Sequence, residues 1–251
     1  MILLRLFSRK WILTTLLVIV GTAVCARLGV WQLNRLKQRR AFNSHVFAMR
    51  AAAPLNLSAQ TVPEDIATME YRPAQATGTY DFAHEIAIRN QSYNDHYGLH
   101  LVAPLVMENG EAVLVDRGWI PAEGNATPAD WRKYDSPAGE ISVQGIVRES
   151  QSTPGFGGIA DPTLTPGQKG LDQWIYVNIE RIAKQMPYPL LPVYLEQNPE
   201  PNRTDPPIPY QEELDLSEGP HQGYAIQWFS FAALLLVGYP FFARRQENSK
   251  E

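Results

Sequence analysis

His221, Tyr224 and Trp228 stand at i, i+3 and i+7, and with Ala225 at i+4 they fall on one stripe of a helix. An imidazole, a phenol and an indole on one face can hold a ligand, with His221 as the donor. The same residues have a plainer reading. Tyr and Trp gather at membrane boundaries because their rings are amphipathic, and a histidine at a helix start can be a solvated neighbour of the cap. Spacing alone leaves both readings open.

Asp116-Arg117-Gly118-Trp119-Ile120-Pro121 ends an apolar run with the pattern of a strand. Two positions apart on a strand, Arg117 and Trp119 point to the same face. They could form a surface for a propionate-bearing or acidic partner, since guanidinium pairs bidentately with carboxylate. A buried ion pair beside a core indole accounts for them equally well. His84, His96 and His100 are the domain residues that a metal cluster would need. His96 and His100 lie in NDHYGLHLVAP, which reads as a turn entering a strand, and four residues of strand separate them by roughly 13 Å. No metal role is expected there.

Other chemistry is thinly represented. Cys25 is the single cysteine, so no disulfide, zinc site or dinuclear copper thiolate site can be assembled from thiols of this chain. The sequence holds no G-x-S-x-G elbow, no H-E-x-x-H, no phosphate-binding loop and no dinucleotide fingerprint. Gly155-Phe156-Gly157-Gly158 lacks a following Lys-Ser or Lys-Thr and reads as a flexible turn. Asn56, Asn125 and Asn202 open glycosylation-type triplets of a kind that arise by chance. The net charge of −4 argues against a nucleic-acid footprint. With no nucleophile–base pair in view, the chain is not expected to be an enzyme.

The elements that must position these groups begin with the stretch 221–242. It holds about 22 residues without an acid or a base other than His221, roughly 33 Å as a helix, enough to cross a bilayer core. Pro220 suits a first helical turn, and Arg244 and Arg245 follow the span as basic residues do on the cytoplasmic side. A first span is expected over 11–31, after a short basic segment, 1–10. It is too long for a typical signal-peptide core, and Val24 fits poorly before a lipoprotein cysteine. Gly21, Cys25 and Gly29 recur every four residues, a small-residue face that would admit a second helix closely. Basic residues flank the first span on both sides, so Arg244, Arg245 and Lys250 decide the orientation. Both termini, 1–10 and 243–251, are placed in the cytoplasm and the intervening chain outside it.

The first helix should continue outward to about Arg50 and stop before Pro54. From Tyr71 the apolar period becomes two, and strands are expected at 71–80, 84–92, 99–107, 112–120, 141–148, 172–178 and 191–197, with a short helix at 179–186. Asn109-Gly110 signals a hairpin, read as type I′. The expected fold class is a membrane protein whose two transmembrane helices flank an α+β domain at 32–198. That domain should be mainly antiparallel β and barrel-like. Residues 154–170 read as a Gly/Pro-rich loop. The Pro- and acid-rich stretch 199–220 reads as a strap that returns the chain to the second span without joining a core.

Four segments, taken in order, resemble the surfeit-locus cytochrome c oxidase assembly family, including its yeast Shy relatives. They are residues 28–35 (LGVWQLNR), 71–73 with 78–80 (YRP and GTY), 113–121 (VLVDRGWIP) and 221–229 (HQGYAIQWF). The pattern departs at Asp116, where the family commonly has Asn, which bears on hydrogen bonding at that point. The resemblance implies a non-enzymatic assembly factor. It would receive haem a from haem a synthase and aid its insertion into the catalytic subunit of the oxidase. It further implies that His221 is a transient axial ligand to the haem iron, with Tyr224 and Trp228 as neighbouring rings, because a neutral imidazole suits iron. The alternatives are a haem-independent scaffold that clamps oxidase subunits, where Arg117 and Trp119 would matter most, and a membrane-tethered enzyme. The ten residues before the first span leave no room for a mitochondrial transit peptide, so a bacterial inner membrane with a periplasmic domain is expected.

Overall fold

The computed structural model describes residues 7–136, 138–151, 158–165, 167–168 and 170–248. Residues 155–157 of the expected 155–158 turn, residues 154, 166 and 169 of the 154–170 loop, and Lys250 lie outside them. Two compact units result. One joins the residues up to His45 with those from Asp215 onward, and the other spans Val46–Leu214.

The first unit is a helix pair. Helix α1 runs Ile12–Ala51 and stops three residues before Pro54, consistent with the restriction proline imposes on its predecessors. Its partner begins at His221. Thr15, Val18, Thr22, Cys25, Gly29, Gln32, Leu36 and Asn43 are all at least partly shielded. Along Thr15–Leu36 they follow alternating steps of three and four. His221, Ala225, Trp228, Ala232, Leu235 and Tyr239 keep the same rhythm on the partner. That 3.5-residue period is the seam of a left-handed helix pair.

Contacts fix the register as antiparallel. Thr15 Oγ1 lies 2.6 Å from the Tyr239 hydroxyl, and Gln32 meets His221 near the other end. The small-residue face is used as its spacing implied. A Cβ at Gly29 would sit 2.8 Å from atoms of the Phe229 ring, and one at Gly21 3.4 Å from Leu235. Outside the seam, Leu13, Leu17, Ile226 and Leu234 are exposed, and both helices are long and apolar enough to cross a membrane.

The second unit is a β domain. Its strands are β1 (Leu55–Asn56), β2 (Pro73–Tyr80), β3 (Ile86–Tyr93), β4 (His96–Val106), β5 (Ala112–Pro121), β6 (Ile141–Glu149), β7 (Gln173–Trp174) and β8 (Leu190–Gln197). Short helices α2 (Pro128–Trp131) and α3 (Ile179–Ala183) interrupt them, and the helix of the second span, His221–Asn248, is α4. The sheet order is β1-β2-β6-β8-β5-β4-β3-β7, and pairing of β2 with β4 closes β2, β6, β8, β5 and β4 into a five-stranded barrel. Pairings are antiparallel except β1–β2, β3–β7 and β5–β8.

Alternation fills the barrel. Ala76, Leu105, Val113, Val115, Val147, Val193 and Leu195 point inward and are wholly buried. Leu114, Val102 and Tyr194, on the opposite face, are covered by Leu171, Trp174, Val177 and Ile182 from the segment that carries β7 and α3.

Three expectations are corrected in detail. The 107–111 hairpin exists, but Gly110 at φ 83° is its only left-handed residue, so it is not type I′. Its loop is the longer kind that ends in a left-handed glycine. The strand expected at 172–178 shrinks to β7, because the N–H groups of Ile175 and Tyr176 donate to the Asp161 carboxylate instead of a ladder. The strap is not free of the core. Ile208 is buried and exchanges backbone hydrogen bonds with Trp119 at 2.8 and 2.9 Å.

The helix seam makes a specific demand on Gly29. Gly29→Leu should lower the thermal unfolding midpoint of the detergent-solubilised chain, since overpacking costs about 1–3 kcal/mol. Adding Phe229→Ala to that variant should recover part of the loss, which a melt of all three proteins would show.

Candidate functional site

Beside the seam, Trp31, Arg35, Gln38 and Phe42 form a second stripe of α1 at steps of four, three and four. With Arg39 and His221 they line an open groove of about 460 Å³. Its walls are mostly aromatic and aliphatic surface, and one imidazole reaches it.

The imidazole is held by a defined partner. His221 Nδ1 lies 2.8 Å from Gln32 Oε1, and Gln32 itself is buried. With the Gln32 amide oxygen facing the ring, which can only accept, the ring proton is assigned to Nδ1 and the lone pair of the neutral imidazole to Nε2. This is the tautomer a metal or a hydrogen-bond donor needs. Gln32 reaches His221 because the seam places it there; nothing in local sequence couples the two residues.

The basic run above the groove is largely committed. Arg40 grips the Glu218 carboxylate through two bonds of 2.8 Å. Arg39 pairs with Asp215, at 3.2 Å to its carboxylate, and donates to the Ser217 carbonyl at 2.9 Å. Asn43 donates to the Leu216 carbonyl at 2.6 Å. The acids ahead of α4 are thereby stitched to α1, and Gly219, at φ 67°, turns the chain into the helix. Tyr224 is half exposed and Trp228 sits edge-on to Phe231 at 5.9 Å. Neither lines the groove; the rings that share it with His221 are Trp31 and Phe42.

In the β domain, Arg117 and Trp119 are both buried, in different surroundings. The β4–β5 ladder slips by one residue between Leu101 and Val102, which leaves Arg117 without an opposite residue. This bulge needs Gly118, whose φ of 115° and close approach to the Ile208 backbone leave no room for a Cβ. Arg117 donates to Glu85 and to the Tyr134 carbonyl, each at 2.5 Å, with the Phe82 ring 4.6 Å away. Burial pushes the Glu85 carboxyl above its ordinary range, with the Arg117 charge opposing it. That geometry matches the buried ion pair of the plainer reading. Trp119 packs on Tyr93 at 5.6 Å, and its indole N–H has no hydrogen-bond partner among the described residues.

The three domain histidines occupy separate environments. His84 Nδ1 is 2.6 Å from Asp81 Oδ2, and His96 is exposed at the start of β4. His100 is buried with Nδ1 2.8 Å from Asp116 Oδ2. The other Asp116 oxygen accepts the Gly118 N–H at 3.0 Å, so this carboxylate also anchors the bulge. His100 and Asp116 border a polar cavity of about 390 Å³ with Arg148, Glu196 and Tyr194. Burial pulls the His100 imidazolium down, but the charge and hydrogen bond of Asp116 outweigh it and the net shift is upward. Sequence alone missed this pair. The available signal was a lone polar residue in one apolar run, GLHLVAPLV, and an Asp-Arg pair interrupting another, VLVDRGW, on either side of one hairpin.

Similar proteins cover nearly the whole chain. A sequence profile of the SURF1 family matches residues 19–233, a span that includes Gln32, the barrel and His221. A SURF1-like protein of Caenorhabditis elegans is 25% identical over 255 residues, which cover 92% of this chain and 74% of that one. Surfeit locus protein 1 of Mus musculus is 26% identical over 246 residues, 92% and 75% of the two chains. An uncharacterized SURF1-like protein of Mycobacterium tuberculosis is 26% identical over 256 residues, 95% and 88% respectively.

Three measurements follow for the domain. Arg117→Ala strands the buried Glu85 carboxylate and should cost about 3–5 kcal/mol, read as a large fall in the domain's unfolding transition. His100 has a raised folded pKa, so its contribution to stability is full below the unfolded value and is lost as pH rises through the folded one. The stability gap between wild type and Asp116→Asn should therefore narrow with rising pH. In that variant burial is opposed only by the charge of Glu196, and an NMR titration should find the His100 midpoint lower than in the wild type.

Proposed function

Because this chain belongs to the SURF1 family, we propose that it is a non-enzymatic assembly factor for a haem–copper cytochrome c oxidase. In this reading it accepts haem a from haem a synthase and passes it to the catalytic subunit, with His221 as the transient iron ligand. The observation that carries the reading is the Gln32–His221 hydrogen bond, which engages Nδ1 of an imidazole that lines an aromatic-walled groove. The donor set fits haem as cargo. A single neutral imidazole is a suitable axial ligand, and Trp31 and Phe42 offer apolar surface for a macrocycle. One protein ligand also suits transfer, because a carrier must release what it holds.

The membrane setting is read in the same way. The two long apolar helices are taken as spans, with Arg244 and Arg245 on the cytoplasmic side and the β domain outside. The groove residues of α1, at 31–42, lie at the end of the apolar run 11–31, and on this reading His221 belongs at the outer edge of the bilayer, where an amphiphilic cargo would leave it. A bacterial inner membrane is the proposed location.

The test is the absorption spectrum of the detergent-purified chain from cells that make haem a. Wild type should carry haem, and His221→Ala should lose it or shift its bands. Gln32→Leu should weaken haem affinity by roughly 10- to 100-fold, the usual consequence of removing the group that orients a ligating histidine. Wild type without haem would turn the reading to a haem-independent scaffold for oxidase subunits.

A further inference from the structure

Arg35 differs from the other two arginines of its run. Arg39 and Arg40 are neutralised by Asp215 and Glu218, whereas Arg35 has no carboxylate partner among the described residues. Its contacts are the Trp31 ring, 5.7 Å from the guanidinium carbon, and a long 3.4 Å bond to the Gln38 side chain. It nevertheless lines the same groove as His221. Three residues separate it from Gln32, about 4.5 Å of helical rise, so an uncommitted guanidinium sits one turn along α1 from the residue that holds the imidazole.

The groove thus offers an imidazole, two aromatic walls and a guanidinium that has no carboxylate partner among the described residues. We propose that Arg35 binds the carboxylate edge of the haem whose iron His221 ligates, and so fixes which way round the macrocycle enters the groove. This rests on the haem-carrier reading above. Charge complementarity selects the occupant: an uncharged macrocycle would satisfy the rings and the imidazole and leave Arg35 without a partner. A guanidinium pairs with a carboxylate through two parallel N–H bonds, which supplies orientation as well as affinity. The strap leaves Arg35 available for this role, because its carboxylates at Asp215 and Glu218 are spent on Arg39 and Arg40.

The experiment titrates the full-length chain in neutral detergent with ferric protohaem, and in parallel with its dimethyl ester, whose carboxylates are blocked. Binding is followed by absorbance for wild type, Arg35→Gln, Arg35→Lys and His221→Ala. Arg35→Gln should weaken protohaem binding by roughly 10-fold while leaving ester binding unchanged, and Arg35→Lys should fall between, having charge without the fork. His221→Ala should weaken both ligands. Equal losses for acid and ester in Arg35→Gln would make Arg35 a structural residue and overturn the proposal. So would unchanged protohaem binding accompanied by reduced binding to phosphatidylglycerol vesicles, which would assign the guanidinium to lipid headgroups. Wild type that binds neither ligand would reject the haem-carrier reading itself, a result distinct from failure at Arg35.

Discussion

A hydrogen bond between residues 189 positions apart, Gln32 to His221, is the contact on which the functional geometry depends. It exists only because two helices from opposite ends of the chain share a seam. The seam in turn depends on small residues. Gly29 accepts the Phe229 ring, and Thr15 closes the far end against Tyr239. Small side chains let two backbones approach closely in an apolar medium, where burial of hydrocarbon against hydrocarbon gives little drive. Packing therefore sets the register, the register places an amide oxygen at the imidazole, and that oxygen selects the ring nitrogen left free. Acids just ahead of α4 add electrostatic stitching through Arg39 and Arg40, which fixes the approach to the helix.

The β domain solves a different problem, that of burying charged groups against a small barrel without disulfides. Its barrel interior is aliphatic, and its polar groups are confined to the outer face and the bulge. Asp116 serves two roles there, bonding His100 through one oxygen and the Gly118 N–H through the other. Arg117, displaced by the same bulge, is driven into the Glu85 pocket. A buried pair of this kind is expensive to desolvate and costly to break, so its value lies in fixing one arrangement of the β4–β5 strands.

Much of this architecture was legible in the sequence because it follows from periodicity. The change from helical to alternating patterns marked the strands, Pro54 marked the end of α1, and Gly21, Cys25 and Gly29 marked the face that meets α4. What stayed hidden depends on contacts across long sequence separation. Nothing near Gln32 announces that it faces His221, and the stripe of His221, Tyr224 and Trp228 pointed along α4 while the groove is walled by Trp31 and Phe42 of α1. The His100–Asp116 pair was masked by a one-residue slip in a ladder, which no alternation pattern reveals. The docking of Ile208 onto Trp119 was likewise invisible in a proline-rich segment, because a single backbone bridge leaves no periodic trace. The shortening of β7 has a local cause, the Asp161 side chain competing with the ladder for two N–H groups.

The central claim is that Gln32 fixes His221 with its proton on Nδ1 and its lone pair on Nε2. The most direct test is the ¹⁵N NMR spectrum of the imidazole in the full-length chain, labelled at histidine, recorded at alkaline pH and assigned by comparison with His221→Ala. A protonated, pyrrole-type Nδ1 and an unprotonated, pyridine-type Nε2 are expected, with the two forms mixing in Gln32→Leu. A pyridine-type Nδ1 in the wild type would mean that the Gln32 amide donates rather than accepts. It would contradict the assignment of Nε2 as the open nitrogen.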